Sequence, residues 1–201
     1  VAPREILVAT RNRGKLAEIR ACLEQEGIRV ISLDAFPEIS EVKEEGESFR
    51  DNALRKAREV ARRSGMITLA DDSGLEVEAL GGGPGVLSAR FAGEGASDED
   101  NNRKLLKMLE GVPWERRRAA FRCVIACVDP SSGKEEVVEG ACEGVIGFEE
   151  RGEGGFGYDP LFFIPELGKT MAELPLEVKN RLSHRGRALK ALKLRLREFF
   201  P

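Results

Sequence analysis

Residues 70–93 read ADDSGLEVEALGGGPGVLSARFAG. The short apolar run ending there, Met66, Ile67, Thr68, Leu69 and Ala70, predicts a buried strand. Asp71 and Asp72 follow it and precede Ser73 and Gly74, so the two acids are expected where the strand breaks into a turn, a place where α/β proteins put chemistry. Beyond them Leu75, Val77 and Ala79 alternate with Glu76 and Glu78 as in a half-buried strand, until the run GGGPG at 81–85 ends regular structure. By composition alone Asp, Ser and Gly equally describe a solvated turn, and this stretch by itself leaves the two readings level.

A chain of 201 residues is expected to form one domain, 1–201, in two lobes, with enough length to bury a substantial core. Hydrophobic residues are 41% and charged residues 33%, the balance of a soluble globular protein, and no apolar run reaches membrane-spanning length. The opening residues, VAPREILVAT, carry Glu5 and no small-residue cleavage pattern, which argues against a signal peptide and makes the cytoplasm the expected location. Cys22, Cys123, Cys127 and Cys142 lack CxxC spacing, and the chain has one histidine, so they read as reduced core residues rather than zinc ligands. A net charge of -3 speaks against a nucleic-acid surface, and the cluster Arg116, Arg117 and Arg118 reads as a solvated loop.

Working outward, residues 5–9 predict a first strand, followed by the loop Thr10, Arg11, Asn12, Arg13, Gly14 and Lys15. A helix then begins near Leu16, with Leu16, Ile19 and Leu23 on one face and Gly27 at its end. A strand leading through a glycine-bearing turn to a helix N-terminus favours an anion, and Lys15 adds a point charge suited to phosphate. The spacing is not that of a Walker loop, and an ordinary connection capped by Asn12 is the alternative. Residues 28–33 predict a second strand and 38–47 an acidic loop able to lend a metal carboxylate. A second helix buries Phe49, Ala53, Ala57, Val60 and Ala61, with Asn52 and Lys56 one turn apart on another face.

After the central stretch Ser97 and Asp100 form a capping box for a helix through Leu105, Leu106 and Leu109 that Gly111 closes. Residues 119–128 and 136–146 predict a β-hairpin, the candidate second lobe. The glycine-rich segment 150–160 carries Phe156 and Tyr158, aromatic faces on which a base could stack, and leads into an apolar strand at 161–164. The chain ends with Lys179, then His184 and Arg185 at the start of an amphipathic helix using Leu189, Leu192, Leu196 and Phe199.

Five pieces carry a resemblance over nearly the whole chain: ATRNRGK at 9–15, ESFRDNALRKA at 47–57, LADDSGLEVEALGGGPGVLSARFAG at 69–93, GGFGYDPLFF at 154–163 and SHRGRAL at 183–189. Together, in that order, they resemble the inosine triphosphate pyrophosphatases, the Ham1 or RdgB-like family of non-canonical purine nucleotide hydrolases. The resemblance implies an α/β fold with a long mixed β-sheet, flanking helices and two lobes around a nucleotide-binding cleft, the lobe boundary falling near 115–150. It further implies a homodimer. The implied reaction is hydrolysis of inosine, deoxyinosine and xanthosine triphosphates to monophosphate and pyrophosphate with Mg2+, which cleanses the nucleotide pool.

Carried over residue by residue, Thr10, Arg11, Asn12, Arg13, Gly14 and Lys15 match the triphosphate loop, and Lys56 matches a phosphate-contacting lysine. Asp72 matches the general base and magnesium ligand, and Ser73 a substrate contact, with Asp71 in support. Glu44 is the best match for the second metal carboxylate, with Glu41 and Glu45 as alternatives. Phe156, Gly157, Tyr158, Asp159, Lys179, His184 and Arg185 match the base-recognition positions. Glu47 departs from the family pattern, where many relatives carry a small or apolar residue, and adds acid near the metal position. The rival enzyme class is the Maf pyrophosphatases, against which GGFGYDP and SHRGRAL argue. The rivals of other kinds are a nucleotide sensor without turnover and a nucleic-acid-binding module.

Overall fold

The computed structural model describes residues 4–200. The chain runs through β1 (Arg4–Val8), α1 (Arg13–Leu23), β2 (Ile28–Ser32), α2 (Phe49–Ser64), β3 (Thr68–Val77), α3 (Asp98–Met108), β4 (Arg118–Val128) and β5 (Glu135–Ile146). It continues with β6 (Phe162–Ile164), β7 (Lys169–Thr170), α4 (Leu176–Leu182) and α5 (His184–Leu196). The strands follow one another in the sheet as β2-β1-β3-β4-β5-β6-β7. β1 pairs in parallel with β2 and β3, whereas β6 is antiparallel to β5 and β7, so the sheet is mixed. No helix among the described residues is long and apolar enough to cross a membrane.

The chain divides into two compact units. The first comprises the residues up to Asp72, Cys123–Gly140 and the residues from His184 onward; the second comprises Ser73–Arg122 and Ala141–Ser183. The hairpin of β4 and β5 therefore contributes to both.

In the first unit the period of two along each strand sorts the core into two layers. Ile6, Val8, Leu69, Cys123 and Ile125 pack against Ile19 and Leu23 of α1 and Leu189 and Leu192 of α5. Their strand neighbours Leu7, Ala9, Ala70, Val124 and Ala126 pack instead with Ala53, Ala57 and Val60 of α2. Helix α2 is well specified locally. Ser48 accepts from the Asp51 N–H at its start, Gly65 takes a left-handed φ of 70° at its end, and its small residues line one stripe. The second unit has its own core, in which Leu75, Val77, Phe121, Ile146 and Phe162 surround Leu105 and Leu109 of α3 and Met171.

Two sequence expectations are corrected here. Asp71 and Asp72 lie inside a continuous strand rather than at a strand-to-turn junction, and both are buried. Turn propensity loses because cations and amides supplied by neighbouring helices satisfy the carboxylates in place. The alternation expected through Ala79 stops at Val77, where Glu78–Leu80 forms a 3-10 turn. The short elements β7 and α4 were not expected. The capping box at Ser97 and Asp100 is present with both of its hydrogen bonds, and none of the four cysteines forms a disulfide.

Candidate active site

Because successive residues of a strand face opposite sides of the sheet, the adjacent acids Asp71 and Asp72 enter different environments. Asp71 follows Leu69 toward α1 and α5. Its Oδ2 lies 3.3 Å from Lys15 Nζ, and accepts from Arg185 Nε and Nη2 at 3.2 and 3.1 Å. Arg185 Nη1 donates in turn to Glu18 Oε2 at 2.5 Å, so a guanidinium is clasped by two carboxylates within the first unit. Burial alone would raise the Asp71 carboxyl, but Lys15, Arg185 and Lys56 more than offset it and hold the group well below the usual carboxylate range. Arg185 is correspondingly held above its ordinary value. Asp71 is a fixed anion.

Asp72 points the other way, with Ala70, toward α2. Its Oδ2 accepts from Asn52 Nδ2 at 2.8 Å. Burial and the nearby Glu44 carboxylate push its carboxyl up to about 6, against the opposing pull of Lys15, Lys56 and the Asn52 amide. Lys56, one turn after Asn52, donates to Glu44 Oε1 at 2.5 Å and to the Asp71 carbonyl at 2.9 Å. Burial lowers the affinity of Lys56 for its proton, yet Glu44, Asp71 and Asp72 together leave it raised, so it stays charged. Asn52 Oδ1 accepts from the Gly46 N–H at 2.7 Å and thereby ties the acidic loop to the same helix.

Among the described residues no three Asp, Glu, His or Cys side chains gather to hold a metal ion. Asp72 and Glu44 are a pair. They present hard oxygens, and the electrostatic cost each imposes on the other is the cost a cation between them relieves, so this donor set fits a divalent cation that takes its remaining ligands from water and phosphate. Of the three acids considered at this position, Glu44 is the one held by Lys56, whereas Glu45 pairs with Arg55 at 3.4 Å and Glu41 is exposed.

In the loop after β1, Asn12 Oδ1 accepts from Lys15 N at 3.0 Å and caps α1, whose N-terminus follows Thr10. Arg11 turns to Asp34 and the Ile39 carbonyl, at 2.9 and 3.0 Å. Arg13 is exposed and Gly14 half-buried in the first turn of α1.

The second unit gathers a separate cluster. Lys179, buried on α4, places Nζ 2.5 Å from Asp159 Oδ2 and 4.7 Å from the centroid of the Phe156 ring. Asp159 Oδ2 also accepts from the Phe156 N–H at 2.9 Å. A Cβ on Gly155, whose φ is 71°, would run into that carboxylate, so glycine is required there. Tyr158 belongs to the core, and its hydroxyl donates to the Ser88 carbonyl at 2.6 Å, whereas Phe156 is half-buried. Ser73, half-buried, continues β3 beyond Asp72.

The signature of the Ham1 family matches residues 6–195. This chain belongs to the Ham1 family. It is 58% identical over 188 residues to the dITP/XTP pyrophosphatase of Geobacter sulfurreducens, covering 94% of each chain. It is 55% identical over 186 residues to that of Desulforamulus reducens, covering 92% of each. Its fold superposes on a Ham1 protein from Coxiella burnetii with a TM-score of 0.86 at 41% identity, over 97% of this chain and 99% of the other.

For a Ham1-family chain, Lys15, Glu44, Lys56, Asp71 and Asp72 are thus brought together in one unit, and Phe156, Asp159 and Lys179 in the other. Arg185, expected as a base-reading donor, has its guanidinium on Asp71 and Glu18, and Tyr158 has its hydroxyl on Ser88. His184 is buried at the first position of α5. Sequence reasoning missed Glu18. The only available signal for Glu18 was its place beside Ile19 on the apolar side of a helix, where an acid needs a partner.

Proposed function

We propose that this protein hydrolyses non-canonical purine nucleoside triphosphates, ITP, dITP and XTP, to the monophosphate and pyrophosphate, with residues 1–201 forming one catalytic domain. The observation that carries the reading is the unequal treatment of two adjacent acids: Asp71 is locked as a structural anion, while Asp72 sits beside Glu44 with a carboxyl pushed up to about 6. An ionised carboxylate at that place is able to accept a proton from water.

Asp72 and Glu44 would hold Mg2+, and the ion would supply neutralisation of the triphosphate charge. Asp72 takes a proton from the attacking water; the water oxygen bonds to the α-phosphorus as the bond to the bridging oxygen of the β-phosphate breaks. Lys15 and Lys56, both held by carboxylates at fixed positions, face the negative charge that grows on departing pyrophosphate. The N-terminus of α1 with Thr10, Arg11, Asn12, Arg13 and Gly14 receives the terminal phosphates. Ser73 and His184 contact substrate.

Phe156 offers a stacking face for the base. Lys179 supplies a donor to the 6-oxygen that hypoxanthine and xanthine carry and adenine lacks. Adenine presents an amino group where Lys179 offers an N–H, a mismatch costing about 1–3 kcal/mol. A homodimer and a cytoplasmic location complete the reading on the strength of the resemblance.

The test is product analysis with inosine, xanthosine, adenosine and guanosine triphosphates, with and without Mg2+. The expected result is pyrophosphate and monophosphate in equal amounts, Mg2+-dependent, and chiefly from the first two substrates. Orthophosphate release, or equal use of all four, overturns the reading.

A further inference from the structure

Helix α3 grips the middle of the loop that carries Phe156 and Asp159. Asp98 and Asn102 stand one helical turn apart and so share a face. Asp98 Oδ2 accepts from the Gly157 N–H at 2.7 Å, and Asn102 Nδ2 donates to the Gly157 carbonyl at 3.1 Å. The first bond fixes the peptide plane between Phe156 and Gly157; the second fixes the plane between Gly157 and Tyr158. Gly157 has φ 60° with nothing near a would-be Cβ, so its conformation is set by these two side chains rather than by crowding. On one side of it the Phe156 N–H reaches Asp159, and on the other the Tyr158 hydroxyl reaches Ser88.

Asn102 also carries a folding cost. It is 3% exposed, and its Oδ1 is buried with no hydrogen-bond partner among the described residues. An apolar residue of similar size would avoid stranding that oxygen, so its amide is poorly explained as a device for stability. Holding Gly157 is the one task the side chain performs.

We propose that Asp98 and Asn102 are positioning residues for base selection: by fixing both peptide planes of Gly157 they present the Phe156 ring and the Asp159–Lys179 pair to a 6-oxopurine. This rests on the functional reading above, and neither residue need touch the nucleotide. Loss of either bond leaves the loop free to rotate, which weakens binding of the preferred base and lets adenine find alternative partners. The acids and lysines of the first unit are untouched, so kcat changes less than KM.

The experiment compares wild type with Asp98→Ala, Asn102→Leu and Asp98→Asn, using ITP and ATP with Mg2+, together with hydrogen exchange at the Gly157 amide and thermal melting. Asp98→Ala and Asn102→Leu are expected to raise KM for ITP about five- to tenfold each, the worth of one hydrogen bond, and to shrink the ITP-to-ATP ratio of kcat/KM. Asp98→Ala should also speed exchange at Gly157. Asp98→Asn keeps an acceptor oxygen and should show the smaller effect. Asn102→Leu should melt no lower than wild type while still losing discrimination, a combination that a purely structural role does not produce. Variants that keep wild-type KM and discrimination, or that lose kcat uniformly in step with melting temperature, overturn the proposal. Wild type without ITP preference overturns the functional reading and the selection role with it, and the exchange data then report separately whether the grip on Gly157 exists.

Discussion

Asn52 Nδ2 donates to Asp72 Oδ2 at 2.8 Å while its own Oδ1 accepts from Gly46 N at 2.7 Å. One side chain of α2 thus joins the buried acid of β3 to the loop that brings Glu44 to Lys56. The fit is close: a Cβ on Gly46 would come within 2.6 Å of that Oδ1.

Removing this joint should uncouple the two carboxylates. Asn52→Ala strands the Gly46 N–H and one oxygen of Asp72, which costs about 1–3 kcal/mol of stability. Misaimed supports of metal-binding carboxylates typically cost about 10–100-fold in activity or metal affinity, and a loss of that size in Mg2+-dependent turnover is expected. Steady-state rates across a Mg2+ titration check it; unchanged rates and Mg2+ dependence would separate Asn52 from the site.

Asp72 destabilises the metal-free fold at neutral pH. Its folded carboxyl, at about 6, lies above the ordinary 3.8, so between those values the folded state binds more protons than the unfolded one. Stability from this group is therefore full below pH 3.8 and is lost as pH rises through about 6. Two pK units correspond to an order-of-magnitude penalty of about 3 kcal/mol. Without divalent metal, Asp72→Asn should melt higher than wild type at pH 7, the advantage shrinking toward pH 4, even as turnover falls by about 10²–10⁴ with loss of the base. Melting curves in chelator from pH 4 to 8 decide it, and a pH-independent difference would refute the assignment.

The carboxylate choice is testable through Mg2+ itself. A cation shared by Asp72 and Glu44 stabilises the fold by mass action. Mg2+ should raise the melting temperature of wild type, of Glu41→Gln and of Glu45→Gln, but far less that of Glu44→Gln. Equal shifts in all four proteins would place the ion elsewhere.

Much of the geometry of this candidate site was legible in the chain, and the parts that were not share a cause. Strands, caps and apolar stripes are local patterns, so α2 with its Ser48 and Gly65 boundaries, the Ser97 capping box and the hairpin were readable from neighbours in sequence. Asp71 and Asp72 misled because Asp, Ser and Gly favour turns, while the groups that keep them in a strand arrive from Asn52, Lys15 and Arg185, far away along the chain. The carboxylates around Arg185 were hidden because nothing near it in sequence reveals Glu18, 167 residues earlier. Asp98 and Asn102 were equally invisible: their targets are the N–H and carbonyl of one backbone residue, and backbone groups leave no mark in sequence.

Arg185 should prove to be a stability residue before anything else. Arg185→Leu leaves Asp71 and Glu18 as buried anions facing one another's field, and breaking such a network by removing one partner costs about 3–5 kcal/mol. Asp71 is held well below the ordinary 3.8, so its contribution is full above that pH and disappears only in strong acid. The expected variant melts far lower at pH 7, with the deficit narrowing as the medium becomes strongly acidic. The ITP-to-ATP preference of the surviving folded fraction is unchanged. A variant of normal stability that has lost base discrimination would return Arg185 to base reading.

Gly140 offers a way to move the start of α5 without touching a charge. A Cβ there would run into the His184 carbonyl oxygen and come within 2.6 Å of Ala188 N, both backbone atoms that cannot swing aside. Helix α5 must therefore shift away from β5, and His184 and Arg185 shift with it. Gly27 provides the contrast, since its φ is 72° but nothing lies within 4 Å of a would-be Cβ. Gly27→Ala pays only for a left-handed conformation, about 1 kcal/mol, and should keep normal kinetics. Gly140→Ala meets overpacking against fixed backbone, expected to cost about 3 kcal/mol or more, and should impair turnover because the Arg185–Asp71 bond that holds Lys15 in register is dragged along. Denaturant melts and kinetics of the two variants side by side separate these causes: comparable losses in both would mean that general backbone strain, rather than the seating of α5 on β5, controls the site.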